Sequence, residues 1–407
     1  MKLPAYQKYK PSGVEWVGDV PEHWDTTRFR FLVRSSNAGE VIDRSYWHSG
    51  DELLFSCQRE SMASDFPDFP LRKRTTENDL LVTRNGTPYV HVPPANAIYS
   101  NVVQRCILKH DLLRSFIALA LETACERLRG EGYGVSIPSF SYEKWCDLPL
   151  PLPTPAEQRA IAAFLDRETG RMDRLVAKKR ELIERLQEKR TALIACTVSR
   201  GLNPNAKLKP SGIEWLGDIP EHWEVKPLKW HSHCQSGDGI SYEDVVPSQT
   251  SENRIPVIGG NGLMGFCEAA NTHEPVIVIG RVGALCGNVH KIDPPAWITD
   301  NALVLRADAR VFDRDYLAAV LKHRNLNELA DKTAQPLITG TLVGDERVPR
   351  PPLPEQRAIA DHLDRETAKI DRLVAKVEEA VERLQEYRTA LITAAVTGKI
   401  DVRKEAA

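Results

Sequence analysis

The chain has 407 residues and a formal net charge of −2, with 42% of its residues hydrophobic and 27% charged. That length exceeds one ordinary core and sets an expectation of two or three domains, and the composition excludes a disordered chain. No run of the roughly 18 apolar residues a membrane span needs is present, and Met1–Tyr6 is no signal peptide, so a cytoplasmic location is expected.

The eight cysteines stand singly (Cys57, Cys106, Cys125, Cys146, Cys196, Cys234, Cys267, Cys286) with no Cys-x-x-Cys pair. That argues against a zinc knuckle and against a disulfide framework. A protein that grips DNA alone is usually basic, because counterion release supplies most non-specific affinity. The near-neutral balance therefore points either away from DNA or towards partner subunits that share the grip.

The first element in chain order is an anchor, Lys8 to Asp25, carrying Pro21-Glu22-His23-Trp24. It recurs at Lys207 to Glu224, with 13 of 18 positions identical. A second repeated pair, Glu157–Leu193 and Glu355–Leu391, shares 27 of 37 positions. A period near 200 residues implies two whole domains, each followed by the same element, and not a solenoid. Between the repeated pieces the halves diverge. A plain gene duplication explains the repeat; the pattern of drift favours anchors that meet one symmetric partner and interiors that meet different targets.

Residues 26 to about 148 mix short β-type runs, such as Asp79–Thr83, with one helical stretch, Leu112 to Arg129. The strand before Arg84-Asn85-Gly86 ends in an Arg-x-Gly turn, where glycine admits close backbone approach and arginine suits phosphate or guanine. Gln58, Arg59 and the run Arg72-Lys73-Arg74 are further candidates for DNA contact, each set against an ordinary solvated surface residue. A proline-rich connector, Leu148 to Pro155, leads to a long helix from Glu157 to about Ser199. Thr154-Pro155-Ala156-Glu157 reads as its capping box and Gly201 as its stop. Apolar positions alternate by four and three through Met172, Val176, Ile183, Leu186 and Leu193, with Lys179 and Arg190 between; Leu175 lies beside the stripe. About 43 residues give a rod near 65 Å. Gly170 weakens it by about 1 kcal/mol relative to Ala368 of the second copy.

The second variable region, 225 to about 347, carries strands over Glu274–Ile279 and Asn301–Leu305 and a helix over Asp315–Leu329. Arg281-Val282-Gly283 stands at the place of Arg84-Asn85-Gly86. Asn261, Arg281, Asn288, Gln335 and Thr339 are its candidates for DNA contact. Gly260-Asn261-Gly262-Leu263-Met264-Gly265 matches a dinucleotide fingerprint but leaves too little room for a helix before Pro275, so a turn or binding loop is expected. Asp293-Pro294-Pro295-Ala296 lacks the aromatic of a methyltransferase adenine loop. His231-x-His233-Cys234 lacks a fourth metal ligand. No phosphate-binding motor loop is present, and no catalytic residue, metal or cofactor is expected. The second connector, Val348 to Pro354, leads to a helix with the seam Ile370, Val374, Val377, Val381, Leu384, Arg388 and Leu391.

With Ser12 to Trp24, its copy Ser211 to Trp223, the run Pro352-Leu353-Pro354-Glu355-Gln356-Arg357-Ala358-Ile359, the Pro256–Gly262 run and the tail Val396–Asp401 in view, the chain resembles the specificity subunit of type I restriction–modification systems over essentially its whole length. The resemblance implies two target-recognition domains, each reading half of a split DNA sequence, with paired helices as a ruler between them. It implies two methyltransferase subunits and a restriction subunit as partners, which share the DNA grip. Thr-Pro-Ala-Glu-Gln at 154–158 departs from the Pro-Leu-Pro-Glu-Gln of the second copy, and the first domain lacks a Gly-Gly-Asn-Gly run from which to map its loops. The expected fold is α+β: tandem mixed α/β target-recognition domains at 1–154 and 201–350, followed by long helices at 155–200 and 351–407 that pack as an antiparallel coiled coil with pseudo-twofold symmetry. A methyltransferase or nuclease with fused specificity needs a cofactor or metal motif, and a coiled-coil scaffold leaves two diverged domains without a purpose.

Overall fold

The computed structural model describes residues 3–85, 87–109, 111–130, 141–330 and 336–404. By compactness the chain divides into two units, Met1–Lys179 with Glu379–Ala407, and Arg180–Glu378. The division passes through both long helices, so each unit owns part of each.

Unit 1 opens with the anchor hairpin β1 (Tyr9–Pro11) and β2 (Asp19–Pro21), then β3 (Asp25–Arg28), β4 (Val33–Ala38), β5 (Trp47–Phe55), β6 (Met62–Ser64), β7 (Asp79–Thr83), β8 (Val90–His91), β9 (Ile98–Tyr99) and β10 (Val103–Leu108). Helices α1 (Arg114–Gly130) and α2 (Tyr142–Asp147), strand β11 (Pro149–Leu152) and the long α3 (Pro155–Arg200) follow. An antiparallel sheet ordered β4-β10-β7-β8 lies beside a second ordered β6-β5-β9, in which β5 and β9 run parallel. All five residues of β7 are buried, and the alternation of side chains between two covered faces explains why Leu80, Leu81 and Val82 stand consecutively. Leu80 and Val82 join Phe116, Ile117 and Leu121 of α1, while Leu81 joins Leu54, Ile98 and Tyr99 of the second sheet.

Unit 2 repeats this plan with β12 (Leu208–Pro210), β13 (Asp218–Pro220), β14 (Glu224–Pro227), β15 (Ser232–Ser236), β16 (Ile255–Gly259), β17 (Gly262–Cys267), β18 (Val276–Gly280), β19 (Val289–Ile292), β20 (Trp297–Ile298) and β21 (Ala302–Ala307). Then come α4 (Arg314–Arg324), α5 (Gly340–Asp345), β22 (Arg347–Arg350) and the long α6 (Leu353–Val396). Its sheets are ordered β15-β21-β18-β19 and β17-β16-β20, with β16 parallel to β20. Ile277 and Ile279 face Tyr316, Leu317 and Val320 of α4, and Val276 and Val278 face Ile258 and Ile298.

This strand order corrects one sequence expectation. The loops of the first domain do map onto the second, because hairpin β5–β6 occupies the place of β16–β17. The loop 56–61 is thus the counterpart of the Gly260-Asn261 turn. Gly39 and Gly237 mark the same crossing, since a Cβ would meet the Tyr99 carbonyl oxygen at 2.0 Å and the Ile298 carbonyl oxygen at 2.4 Å.

The long helices follow their predicted signals. The Thr154 hydroxyl donates to the Glu157 carboxylate at 2.9 Å and accepts the Glu157 N–H, which closes the capping box; Gly201, at φ +70°, ends α3. In unit 1 the first half of α3 meets the last part of α6, with Met172 and Leu391 in one core and Asp173 3.2 Å from Arg388. In unit 2 the end of α3 meets the start of α6, and Arg190 donates to Asp371 at 2.9 Å. The helices therefore pack antiparallel in both. Met172, Ile370 and Leu391 are buried and Val176, Ile183, Leu186, Leu193, Val374, Val381 and Leu384 half-buried, whereas Leu175 and Leu373 are exposed and do not widen the packed stripe.

The repeated anchor has an internal reason to be repeated. Buried Glu157, on the first turn of α3, accepts the Trp24 indole N–H at 3.3 Å and lies 2.9 Å from His23 Nε2. Glu355 of α6 accepts the Trp223 indole N–H at 3.1 Å and lies 2.8 Å from His222 Nε2. Burial pushes the Glu157 carboxyl up, but hydrogen bonds from His23, Thr154 and Trp24 together hold it below the ordinary range. The neighbouring glutamines complete the lock. Gln158 accepts the Leu113 N–H and donates to the Pro153 carbonyl, and Gln356 accepts the Asp313 N–H and donates to the carbonyls of Val311 and Pro351.

Candidate nucleic-acid interface

In unit 2 the candidates Asn261, Arg281 and Asn288 gather at one end of the four-stranded sheet, and Arg84 stands at the same end of the sheet in unit 1. In unit 2, β15 and β18 run in the same direction, so Ser236 and Gly280 end together. Arg281 follows Gly280, and its N–H donates to the Asn301 carbonyl at 3.0 Å. The turn Gly260-Asn261 joins β16 to β17 against this strand end, where a Cβ on Gly260 would come within 2.8 Å of the Asn301 oxygen. It is a hairpin turn, not the start of a helix. Asn288 Nδ2 lies 3.5 Å from Asn261 Oδ1, and both side chains are exposed. The segment after Pro336 closes the cluster, as the Ile338 N–H donates to the Arg281 carbonyl at 2.9 Å. Gln335 lies outside the described residues.

Unit 1 places Arg84 as unit 2 places Arg281: it follows β7, and its N–H donates to the Val102 carbonyl at 2.8 Å. Arg84 is half-buried and Asn85 exposed, while Gly86 lies outside the described residues. Gln58 and Arg59 are exposed on the β5–β6 loop, the position that Asn261 holds in unit 2. Arg72 is exposed on a 3-10 turn, Leu71–Lys73, pinned from below by the buried Arg105–Asp79 ion pair at 2.6 Å; Arg105 also donates to the carbonyls of Arg72 and Lys73.

Four candidates have internal work. Lys73 is ion-paired to Glu40 at 2.5 Å and donates to the Ala38 carbonyl. Arg74 grips the Glu52 carboxylate with two N–H bonds of 2.7 and 2.9 Å. Arg281 donates to the Ser236 hydroxyl and the Asp300 carbonyl at 3.0 and 3.1 Å, and the Thr339 hydroxyl caps α5 by accepting the Leu342 N–H. These residues shape the loops. Gln58, Arg59, Arg72 and Asn85 have exposed side chains, and Asn261 and Asn288 are exposed with one hydrogen bond between them. Leu263 and Met264 are exposed on β17 beside Asn261.

The rings of the His-x-His-Cys run are engaged elsewhere, His231 with Arg350 at 3.1 Å and His233 with Gln235 at 2.9 Å. Asp293 is paired with Arg314 at 2.6 Å.

Residues 48–185 and 220–383 each match the family model described as type I restriction modification DNA specificity domain. The chain belongs to this family. The two specificity domains also align along the chain with the type I restriction enzyme MjaVIII specificity subunit of Methanocaldococcus jannaschii, 22% identical over 414 residues and covering 94% of both chains. A chain from a structure reported on complex assembly and conformational transition of the type I R-M system superposes with a TM-score of 0.70 at 16% identity, covering 93% of this chain and 98% of that one. The HsdS subunit of Thermoanaerobacter tengcongensis gives 0.51 at 18% identity over 94% and 98%. These two likenesses are of fold. No helix among the described residues is long and apolar enough to cross a membrane.

Proposed function

We propose that each specificity domain reads one half of a split double-stranded DNA sequence through the loops at the Arg84 or Arg281 end of its sheet. In this reading the chain is the non-catalytic recognition subunit of a type I restriction–modification complex in the cytoplasm. Two methyltransferase subunits and restriction subunits supply the chemistry and part of the phosphate contact that a net charge of −2 leaves wanting. The functional division is recognition at 1–154 and 201–350, with spacer helices at 155–200 and 351–407. The observation that carries the reading is the pair of specificity domains, alike strand for strand and unlike at the equivalent loops, Ser-Cys-Gln-Arg-Glu-Ser against Gly-Asn. Amide side chains such as Asn261, Asn288 and Gln58 suit the paired donor and acceptor of adenine, Arg59 and Arg72 suit guanine or phosphate, and Leu263 and Met264 suit thymine methyl groups.

The test is a map of methylated bases in genomic DNA from cells expressing the chain with its methyltransferase subunit. A split motif methylated in both halves is expected. Asn261→Ala and Asn288→Ala are expected to relax single positions of one half by roughly 10- to 100-fold, and Arg84→Ala and Gln58→Ala to relax only the other half. An assembled complex that methylates no split motif rejects the reading. Equal loss in both halves from a single variant assigns that residue to the framework.

The helices are proposed to set the spacer. Inserting one heptad into each keeps the seam in register and adds about 10 Å of helix. The spacer between half-sites is expected to grow by about 3 base pairs. An unchanged spacer means that the helices are not the ruler.

A further inference from the structure

At the sheet end opposite the Arg84 and Arg281 loops, each unit carries a second repeated device. It is a 3-10 turn, Phe29–Phe31 in unit 1 and Leu228–Trp230 in unit 2. The first residue, Phe29 or Leu228, is fully buried, and its N–H donates to the Leu148 or Glu346 carbonyl at 2.9 Å in both. The second, Arg30 or Lys229, is ion-paired with the acid that ends the following short helix, Asp147 or Asp345. The turn closes through Leu32 or His231, whose N–H donates to the carbonyl of Phe29 or Leu228 at 2.9 and 3.1 Å. The third residue is the aromatic Phe31 or Trp230, and each is 59% exposed.

Packing and hydrogen bonding account for every member of this device except the aromatic ring. A large ring left that exposed in one copy needs no explanation, but the same exposure at the same position in both copies does. The specificity domains have diverged in the loops proposed to read bases, so a surface kept alike in both meets something that is the same for both. Location argues against the bases. Phe31 and Trp230 precede β4 and β15, whereas Arg84 and Arg281 follow the parallel-running β7 and β18, so the two sites lie about one strand length, roughly 17 Å, apart. Lys226 Nζ lies 5.6 Å from the centre of the Trp230 ring. The cations next to the rings in the chain have acids of their own: Arg28 and Arg30 with Asp147, Lys226 with Glu224 and Lys229 with Asp345.

We propose that Phe31 and Trp230 are equivalent docking anchors for two copies of one protein subunit, one copy per unit, each offering an apolar pocket for the ring. Resting on the function proposed above, that subunit is the methyltransferase. Exposed aromatics beside cations are the side chains that most often carry interface energy, because they bury large area at small entropic loss.

The test co-expresses the full chain with its methyltransferase subunit and counts subunits by native mass spectrometry. The wild-type complex is expected to hold two copies. Phe31→Ala and Trp230→Ala are each expected to weaken one copy at least about 10-fold, leaving one at dilutions where the wild type keeps two, and the double variant none. The exchange Phe31→Trp with Trp230→Phe is expected to restore both. Thermal unfolding of the free variants, unchanged from wild type, separates lost docking from lost folding. Two copies retained by the double variant at every dilution overturn the proposal. So does intact stoichiometry with uniformly weakened binding to unrelated DNA duplexes, which would assign the rings to the DNA backbone. Failure of the base-reading function is seen separately, as a wild-type complex with full stoichiometry that methylates no split motif.

Discussion

Gln356→Leu is expected to destabilise unit 2 by on the order of 3 kcal/mol or more, while leaving unit 1 nearly unchanged. Gln356 is fully buried, and its side-chain amide serves three backbone groups within 2.9 Å: the Asp313 N–H and the carbonyls of Val311 and Pro351. Leucine has similar bulk and no polar atom, so all three lose their partner without gaining water, at about 1–3 kcal/mol each. Gln158, its counterpart, serves two such groups among the described residues, Leu113 and Pro153, so Gln158→Leu is expected to cost less and to act on unit 1. Hydrogen exchange followed peptide by peptide tells the units apart. Equal loss of protection in both units from Gln356→Leu, or none in either, contradicts the assignment.

The second large effect is acid sensitivity centred on His91. This residue of β8 is buried between Phe55 and Tyr89, and its Nε2 has no partner among the described residues. Burial pushes its pKa from 6.5 down to about 4. Between those values the unfolded chain binds a proton that the folded chain refuses, so stability falls as pH falls through this window and levels off below it. The loss amounts to about 3 kcal/mol at the lower end. His290 holds the equivalent place on β19, opposite Val278 as His91 is opposite Leu81. Its pKa is also lowered, by burial and then by Lys322, so unit 2 shares the direction of the effect. Denaturant unfolding of unit 1 between pH 7 and pH 4.5 is expected to show a shallower pH slope in His91→Leu than in wild type. Equal slopes would show that the acid loss comes from other groups.

What was legible in the sequence was what chain neighbours decide. The capping box of Thr154 and Glu157, the stop at Gly201 and the alternating seam each depend on residues within a turn or two, and each formed as read. Arg84 and Arg281 were legible as a matched pair because each closes a strand whose apolar run survives in both copies. Contacts that close over long separations were not legible. Nothing near Arg74 announces Glu52, 22 residues away, and nothing near Arg281 announces Ser236, 45 away. The equivalence of the Gln58 loop and the Asn261 turn depends on strand order, which the divergent side chains conceal. The anchors were read as surfaces for a symmetric partner, whereas the lock of Trp24 and His23 on Glu157 gives their repetition an internal cause.

The cut that compactness makes through the long helices also orders the birth of the protein. Unit 2 is one continuous stretch, Arg180–Glu378, and every residue of it exists once position 378 has been added. Unit 1, although its first residue is made first, lacks Leu391, Ala395 and Val396, which share a core with Trp24 and Phe164. Its closing bonds, Tyr9 hydroxyl to the Gly398 carbonyl and Lys399 ammonium to the Asp19 carbonyl, span 389 and 380 residues. Such contacts form late, because a long loop must be closed before they return any free energy. A nascent chain therefore carries its leading specificity domain with an uncovered apolar flank through most of synthesis, and the folding of unit 2 shortens the loop that covers it.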